Sequence, residues 1–216
     1  MALESLAKFD IGSFLTLAIK RSLATLIVVL SISSSSYAAT ILILGDSLSA
    51  GYGMEEEQGW VQLLRNELPQ HTIINGSVSG ETSAGGARRI ADLLASSQFD
   101  LVVIELGGND GLRGFPPAQL KSNLTKIIEA SQQTDAKVLL TEVMVPPNYG
   151  PRYSKMFNDV FYELADSYNI PLIPFFMQDI APKPSLMQSD GIHPNVEAQP
   201  IITQWMKPWI IDGLKK

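Results

Sequence analysis

The sequence contains no cysteine and only two histidines, His71 and His193, among its 216 residues. The absence of cysteine excludes disulfide bonds, a cysteine nucleophile, thiolate zinc sites and a lipid-modified N-terminal cysteine. Any chemistry that needs an imidazole has only these two side chains to use. Two widely separated histidines without cysteine are a poor basis for a metal site, and we expect neither a metal nor another cofactor.

Positive charge is also scarce. Lys and Arg total 16 against 22 Asp and Glu, which gives a formal net charge of −6. No lysine- or arginine-rich run interrupts this pattern, so nucleic acid and anionic membrane surfaces are not expected as partners. The apolar content of 45% and charged content of 18% are typical of a folded domain with a substantial core.

The N-terminal region has the pattern of a secretory signal. Lys20-Arg21 precede an apolar segment from Leu23 to Ile32, and Ser36-Tyr37-Ala38 place small residues where a signal peptidase reads them. We predict a signal peptide over residues 1–38, cleavage after Ala38 and export to the periplasm. The alternative is a retained membrane anchor. However, the uncharged stretch after Arg21 is short for a bilayer, so we expect no stable membrane span after cleavage.

Apolar runs of strand length alternate with helical patterns in the rest of the chain. Helical spacing is clear in Leu120, Leu124, Ile127 and Ile128 and in the wide stripe from Met156 to Tyr168. This alternation predicts one α/β domain over residues 39–216, with a parallel sheet covered on both faces. The five predicted strands are Thr40–Leu44, Thr72–Asn75, Leu101–Leu106, Lys137–Val143 and Pro171–Pro174.

Glycine is concentrated in the loops that follow the predicted strands. Because such loops gather at one edge of a parallel sheet, we expect a site there, although any loop can be rich in glycine. Those loops are Gly45–Gly53, Gly76–Gly86, Gly107–Phe115 and Val145–Tyr153.

Ser47 directly follows the first predicted strand, in Gly45-Asp46-Ser47-Leu48-Ser49. A serine in this position is exposed at the edge where α/β proteins keep their chemistry, which makes Ser47 a candidate nucleophile. The simpler interpretation is an ordinary helix cap. The lipase elbow Gly-x-Ser-x-Gly is absent, because Val78 stands where its serine would be.

A serine nucleophile needs a base, and His193 is the better candidate. Asp190, three residues upstream with Gly191 between them, can accept from one imidazole nitrogen and leave the other for the serine proton. The alternative is a polar turn that leads into the last helix, with Pro194 helping to start that helix. His71 precedes a predicted strand, so we expect it on the surface at the opposite edge of the sheet.

Acyl transfer also needs hydrogen-bond donors for the oxygen that becomes negative. Gly80 can turn its backbone N–H toward the sheet edge, and the side-chain amide of Asn109 follows a buried strand and two glycines. The backbone N–H of Ser47 would be a third donor. The alternatives are a plain loop glycine and a plain turn.

Together, these segments resemble the sequence blocks of the GDSL or SGNH hydrolase superfamily in order and spacing. They are Gly45-Asp46-Ser47-Leu48-Ser49, Gly80, Gly107-Gly108-Asn109-Asp110 and Asp190-Gly191-Ile192-His193. Tracts such as Glu105–Phe115 look like the periplasmic thioesterase I branch, also called protease I, lysophospholipase or arylesterase. The resemblance implies a flavodoxin-like three-layer α/β/α sandwich with a five-stranded parallel sheet. It also implies that Ser47 is the nucleophile, His193 the base and Asp190 its orienter, with Gly80 and Asn109 completing the oxyanion hole.

The resemblance implies small-molecule substrates, namely acyl esters or lysophospholipids, with acyl thioesters hydrolysed when supplied. No arginine cluster suited to a coenzyme A phosphate tail is present. Apolar loop residues suit an acyl chain or pack as a lid; they are Leu112, Phe115, Met144, Val145, Pro146, Pro147 and Tyr149. The alternatives are a carbohydrate acetylesterase of the same superfamily and a non-catalytic flavodoxin-like binder. The binder is disfavoured because the first loop lacks Gly-x-Gly-x-x-Gly spacing.

Overall fold

The computed structural model describes residues 38–215, so nearly all of the predicted signal peptide lies outside the described residues. The described chain forms one sheet of five strands, and each strand runs parallel to its neighbours. The prediction of a five-stranded parallel sheet is therefore confirmed. The strands are β1 (Thr40–Gly45), β2 (Thr72–Asn75), β3 (Leu101–Glu105), β4 (Lys137–Thr141) and β5 (Leu172–Ile173). Their order across the sheet is β2-β1-β3-β4-β5.

Helices occupy the connections between these strands, as the apolar spacing predicts. Two of the longer ones, Pro117–Gln132 and Pro151–Tyr168, begin with proline, whose fixed φ suits the first helical position. Within residues 38–215 the α-helices are α1 (Ser47–Ala50), α2 (Trp60–Glu67), α3 (Ser83–Ser96), α4 (Gly108–Leu112), α5 (Pro117–Gln132), α6 (Pro151–Tyr168) and α7 (Gln199–Leu214). None of the helices in this range is both long and apolar enough to cross a membrane.

The core lies on both faces of the sheet. Alternate strand residues point to opposite faces, so Leu42 and Ile104 pack beneath α3, α5 and α6, whereas Ile43 and Leu139 pack beneath α2 and α7. Burial on both faces explains why the strands are nearly uninterrupted apolar runs. The three-layer α/β/α sandwich is thus confirmed.

The ends of the last two strands differ slightly from the prediction. The last strand is only Leu172–Ile173, and β4 ends at Thr141, before Val143. Backbone pairing between β4 and β5 covers just two residue pairs, because the chain turns away after Ile173. The central strands β1 and β3 pair over five residues, more than any other two strands of the described sheet. Their carboxyl ends are therefore the most firmly held part of the sheet edge where the strands end.

Candidate active site

Ser47 is the first residue of α1, immediately beyond the central strand β1. Asp46 caps this helix, since its Oδ1 accepts a hydrogen bond of 3.0 Å from the backbone N–H of Leu48. The chain passes very close to its neighbours just before this turn. A Cβ at Gly45 would lie 2.7 Å from Ser49 and 2.8 Å from Glu105, so a residue larger than glycine would displace the strand end that presents Ser47.

Asp190, His193 and Ser47 form a continuous chain of hydrogen bonds. His193 Nε2 lies 2.9 Å from Ser47 Oγ, and His193 Nδ1 lies 2.6 Å from Asp190 Oδ2. The turn between Asp190 and His193 depends on Gly191, whose φ of +68° lies in the left-handed region that favours glycine. The structure thus brings together three side chains that the sequence singles out, two of which are far from Ser47 along the chain.

Asp190 is held in its charged form. Its Oδ1 also accepts hydrogen bonds from the backbone N–H groups of Ile192 and His193, at 2.9 Å and 3.0 Å. The hydrogen bond from the His193 side chain and these backbone bonds lower the pKa of Asp190 to about 2. A carboxylate in this state keeps Nδ1 of the imidazole protonated and leaves Nε2 free to accept a proton.

Two residues that the sequence analysis did not single out position the His193 loop. The rings of Tyr52 and His193 have centroids 4.3 Å apart with a tilt of 36°. Gln188 donates from Nε2 to the backbone carbonyls of Tyr52 and Pro194, at 2.7 Å and 3.1 Å. Gln188 therefore joins the loop after α1 to the loop that carries the imidazole.

Gly80 and Asn109 lie on the loops that follow β2 and β3. Gly80 has a φ of +78°, and Asn109 lies in α4, where its Nδ2 donates a 3.1 Å hydrogen bond to Asp46 Oδ2. Among the described residues, none accepts a hydrogen bond from the backbone N–H of Gly80 or Ser47. These N–H groups, with the second Nδ2 hydrogen of Asn109, are available to an anionic oxygen.

Two buried carboxyl groups, Asp46 and Glu105, lie beneath the turn from β1 into α1 and are only 2% and 1% exposed. Burial raises the pKa of Asp46 to about 6, against the opposing hydrogen bonds from Leu48 and Asn109. Burial also raises the pKa of Glu105 well above its usual range, although Ser49 donates to Glu105 Oε2 at 2.7 Å. A glutamate inside the apolar run of β3 is the sequence signal that could have identified this group.

His71 is not brought to Ser47. It precedes β2, at the amino ends of the strands, as predicted. Its side chain is half-buried rather than fully on the surface, because Nδ1 accepts a 3.1 Å hydrogen bond from the backbone N–H of Ala39. Desolvation by burial lowers the pKa of His71. Within residues 38–215, no cluster of His, Asp and Glu is arranged to hold a metal ion.

Four exposed apolar side chains lie on the loops and helix ends that carry Ser47, His193 and Asn109 or adjoin them. Tyr52 stacks on His193, Ile192 precedes His193, Val78 donates its N–H to the carbonyl of Gly45, and Leu112 ends the helix that carries Asn109. We call these four residues the apolar rim; their exposed fractions are Tyr52 49%, Val78 46%, Leu112 39% and Ile192 48%.

The predicted groove residues do not behave alike. Leu112 and Met144 are exposed, whereas Val145 packs in part against the core beneath α6. Tyr149 donates its hydroxyl to the backbone carbonyl of Leu112 at 2.6 Å. Leu112 and Met144 are therefore open to contact with an acyl chain, whereas Val145 contributes to core packing.

Known proteins match the chain over most of its length. The sequence pattern of the GDSL-like lipase/acylhydrolase family matches residues 43–200. An arylesterase of Vibrio mimicus is 45% identical over 197 residues, which cover 89% of this chain and 98% of that protein. The thioesterase 1/protease 1/lysophospholipase L1 of Escherichia coli K12 is 46% identical over 170 residues, 78% of this chain and 82% of its own.

A solved structure matches the fold as well as the sequence. The psychrotrophic esterase EstA from Pseudoalteromonas sp., inhibited by monoethylphosphonate, superimposes with a TM-score of 0.80 at 48% identity. The match covers 82% of this chain and all of that one. With this fold, these sequence blocks and this identity over most of its length, the chain belongs to the GDSL-like lipase/acylhydrolase family.

Proposed function

We propose that the protein is a serine esterase that hydrolyses acyl esters, lysophospholipids and acyl thioesters, with Ser47 as nucleophile, His193 as base and Asp190 as its orienter. The observation that carries this proposal is the hydrogen-bond chain from Ser47 Oγ through His193 to Asp190, at 2.9 Å and 2.6 Å. A serine hydroxyl reacts at neutral pH when a base of this kind removes its proton during attack.

The reaction proceeds in two halves. His193 Nε2 takes the Ser47 proton as Oγ attacks the acyl carbonyl carbon, and it then gives that proton to the departing alcohol or thiol. Water adds to the acyl-enzyme by the same route: His193 takes a proton from water, the carboxylic acid leaves, and Ser47 Oγ regains its proton. Asp190 stays ionised throughout and stabilises the imidazolium that forms in each half.

The oxyanion of each tetrahedral intermediate is stabilised by N–H donors from three loops. They are the backbone N–H groups of Ser47 and Gly80 and the side-chain Nδ2 of Asn109. The support for this assignment is that these groups keep N–H bonds unused by the described residues at the edge that carries Ser47 Oγ. Removal of one such donor costs about 3 kcal/mol of transition-state stabilisation, or roughly a hundredfold or more in rate.

The apolar rim is evidence that the protein recognises the acyl group of its substrate. Exposed Leu112 and Val78 flank the loops of the proposed oxyanion donors, where burial against an alkyl chain contributes about 25 cal/mol per Å² of apolar surface. The relatives named above carry the same chemistry in their names: arylesterase, thioesterase and lysophospholipase.

The nucleophile is tested with Ser47→Ala and a p-nitrophenyl acyl ester. We expect hydrolysis to fall to the background rate while the far-UV spectrum and the melting temperature stay near those of the wild type. Ser96→Ala is the matched control, because Ser96 is exposed at the far end of α3 and should leave turnover unchanged. Turnover of Ser47→Ala near that of Ser96→Ala would overturn the mechanism.

The substrate class is tested with a series of p-nitrophenyl esters of increasing chain length. We expect kcat/KM to rise from acetate to medium acyl chains, because the apolar rim contributes only when an alkyl chain covers it. Lysophospholipids and acyl thioesters of the same chain lengths follow in a second series. A strong preference for acetate would contradict the acyl-chain proposal and support a carbohydrate acetylesterase instead.

We further propose that residues 1–38 are removed on export and that the mature periplasmic enzyme begins at Ala39. The support lies in the signal-like pattern that ends at Ser36-Tyr37-Ala38 and in Ala39, which is 1% exposed at the start of the folded domain. Expression of the full chain in a Gram-negative host and mass spectrometry of the periplasmic protein test this boundary. An intact N-terminus retained in the membrane fraction would contradict it.

A further inference from the structure

A buried polar cluster links the two loops that carry Gly80 and Asn109. Asp110 Oδ2 accepts from the backbone N–H of Ser83 at 2.8 Å, and Asp110 Oδ1 accepts from the Ser83 hydroxyl at 2.5 Å. Asn123 in α5 donates from Nδ2 to Ser83 Oγ at 3.0 Å. Ser83 and Asp110 are fully buried and Asn123 is 8% exposed, so solvent does not weaken these bonds.

The position of the cluster relates it to the proposed oxyanion donors. Asp110 directly follows Asn109 in α4, and Ser83 begins α3 three residues after Gly80. The Asp110 carboxylate also lies at the N-terminus of α3, where the helix dipole favours a negative group. The Asp110 carboxylate therefore holds the start of α3, which follows the Gly80 loop, against α4, which carries Asn109.

A second contact spans the same two loops at the surface. Arg113 donates from Nη2 to the backbone carbonyl of Gly80 at 3.2 Å. This bond is exposed, whereas the Ser83–Asp110 bonds are buried and involve both carboxylate oxygens. The buried pair is the stronger of the two restraints, because charge-assisted bonds shielded from water resist opening.

We propose that Asp110 and Ser83 are positioning residues that set the spacing between the Gly80 N–H and the Asn109 Nδ2, and through it the strength of the oxyanion hole. This proposal rests on the proposed function. Neither side chain touches the substrate. Both act through the loops that they join, so their loss affects the transition state more than substrate binding.

The kinetic consequence follows from how narrowly such donors must be placed. Oxyanion donors work at 2.7–3.1 Å from the charged oxygen, and a misplacement of about 1 Å can cost on the order of a hundredfold in rate. Ground-state binding of the acyl chain to the apolar rim does not depend on that spacing. We therefore expect kcat to fall while KM stays nearly constant.

Ser83→Ala and Asp110→Asn test the proposal, with Ser131→Ala as the matched control. Ser131 is also fully buried and donates its hydroxyl to the Ile127 carbonyl, but it lies in α5 away from both loops. The active sites of each variant are titrated with an alkylphosphonate, so that kcat refers only to folded molecules. The inhibition constant of a reversible alkylboronic acid then reports binding of a tetrahedral adduct.

We expect kcat per titrated site to fall about tenfold in Ser83→Ala and up to about a hundredfold in Asp110→Asn, with matching losses in boronate affinity and KM within twofold. Ser131→Ala should lower the melting temperature but leave kcat and boronate affinity unchanged. Wild-type kcat per site in Ser83→Ala would overturn the proposal even where Asp110→Asn folds poorly. Activity retained in Ser47→Ala would instead overturn the proposed function, so the two failures are distinguishable.

Discussion

Asp46 Oδ2 accepts a hydrogen bond from Asn109 Nδ2 at 3.1 Å, and this bond determines which way the Asn109 amide faces. A carboxylate has no donor of its own, so only the NH₂ end of the amide can satisfy it. Since Asp46 Oδ1 caps α1 through Leu48, one side chain serves both the helix that bears Ser47 and the amide of Asn109.

Asp46→Asn should therefore inactivate the enzyme through Asn109. An asparagine at this position can still cap α1, but its own NH₂ group turns toward Asn109 and favours a flipped amide with the carbonyl oxygen facing the site. We expect kcat to fall about a hundredfold, as for the loss of an oxyanion donor. Steady-state kinetics on titrated enzyme measure this loss.

A double-mutant cycle separates this effect from general damage. If Asp46 acts through Asn109, Asp46→Asn should add little to the loss already caused by Asn109→Ala. Asp92→Asn, on the exposed face of α3, serves as the isosteric control and should leave kcat unchanged. Multiplicative losses in the double variant would show that Asp46 acts by another route.

Asp46 should also make stability depend on pH. Its pKa is about 6 in the folded protein, against 3.8 for an unperturbed aspartate. The folded state therefore binds this proton more tightly than the unfolded state does. The carboxylate therefore destabilises the fold above pH 6, and this penalty is relieved as the pH falls from about 6 to about 4. Asp46→Asn removes the penalty, and its effect on the free energy of unfolding should be more favourable at pH 8 than at pH 4.

The difference between the two pH values reports the free energy that burial of the ionised Asp46 costs, and the raised pKa fixes its sign. Urea unfolding of the wild type and Asp46→Asn at pH 4 and pH 8 measures it. An identical difference between the two proteins at both pH values would contradict the raised pKa of Asp46.

The two histidines should behave very differently. His193→Ala should lower kcat by several orders of magnitude, because Ser47 then has no base. His71→Ala should leave kcat unchanged and lower the melting temperature, since His71 accepts from Ala39 at the other edge of the sheet. Equal losses of kcat in both variants would contradict the assignment of the base.

Gln188→Leu should lower kcat about tenfold with little change in KM, because the loop that carries His193 loses its two bonds to the backbone of Tyr52 and Pro194. Gln178→Leu is the matched control. Gln178 is exposed on the same connection between β5 and α7. A similar loss in both variants would mean that the connection, rather than Gln188, determines the effect.

The sequence predicts well those contacts of the site that join residues close along the chain. Asp190 and His193 are close along the chain, with a glycine that permits their turn, so their contact could be predicted from spacing, although the same spacing also fits a polar turn before the last helix. Apolar runs likewise predict the buried strands of the sheet. Tyr52, Gln188 and the bond between Asp46 and Asn109 could not be predicted, because they join segments whose relative position depends on strand order and loop paths.

The shortness of β5, only Leu172–Ile173, affects how the enzyme loses activity on heating. Ser47 is held by the central strand β1, whereas Asp190 and His193 lie on the connection after β5. Between β5 and α7, all of which the structure describes, strand-type pairing is limited to an isolated bridge between Met187 and Pro194, and the other backbone bonds are mostly those of local turns. Segments held by local turns, with so little strand pairing, open at a lower free energy than the sheet itself. Thermal inactivation should therefore begin as a reversible separation of the base from the nucleophile, at temperatures where the sheet is still intact.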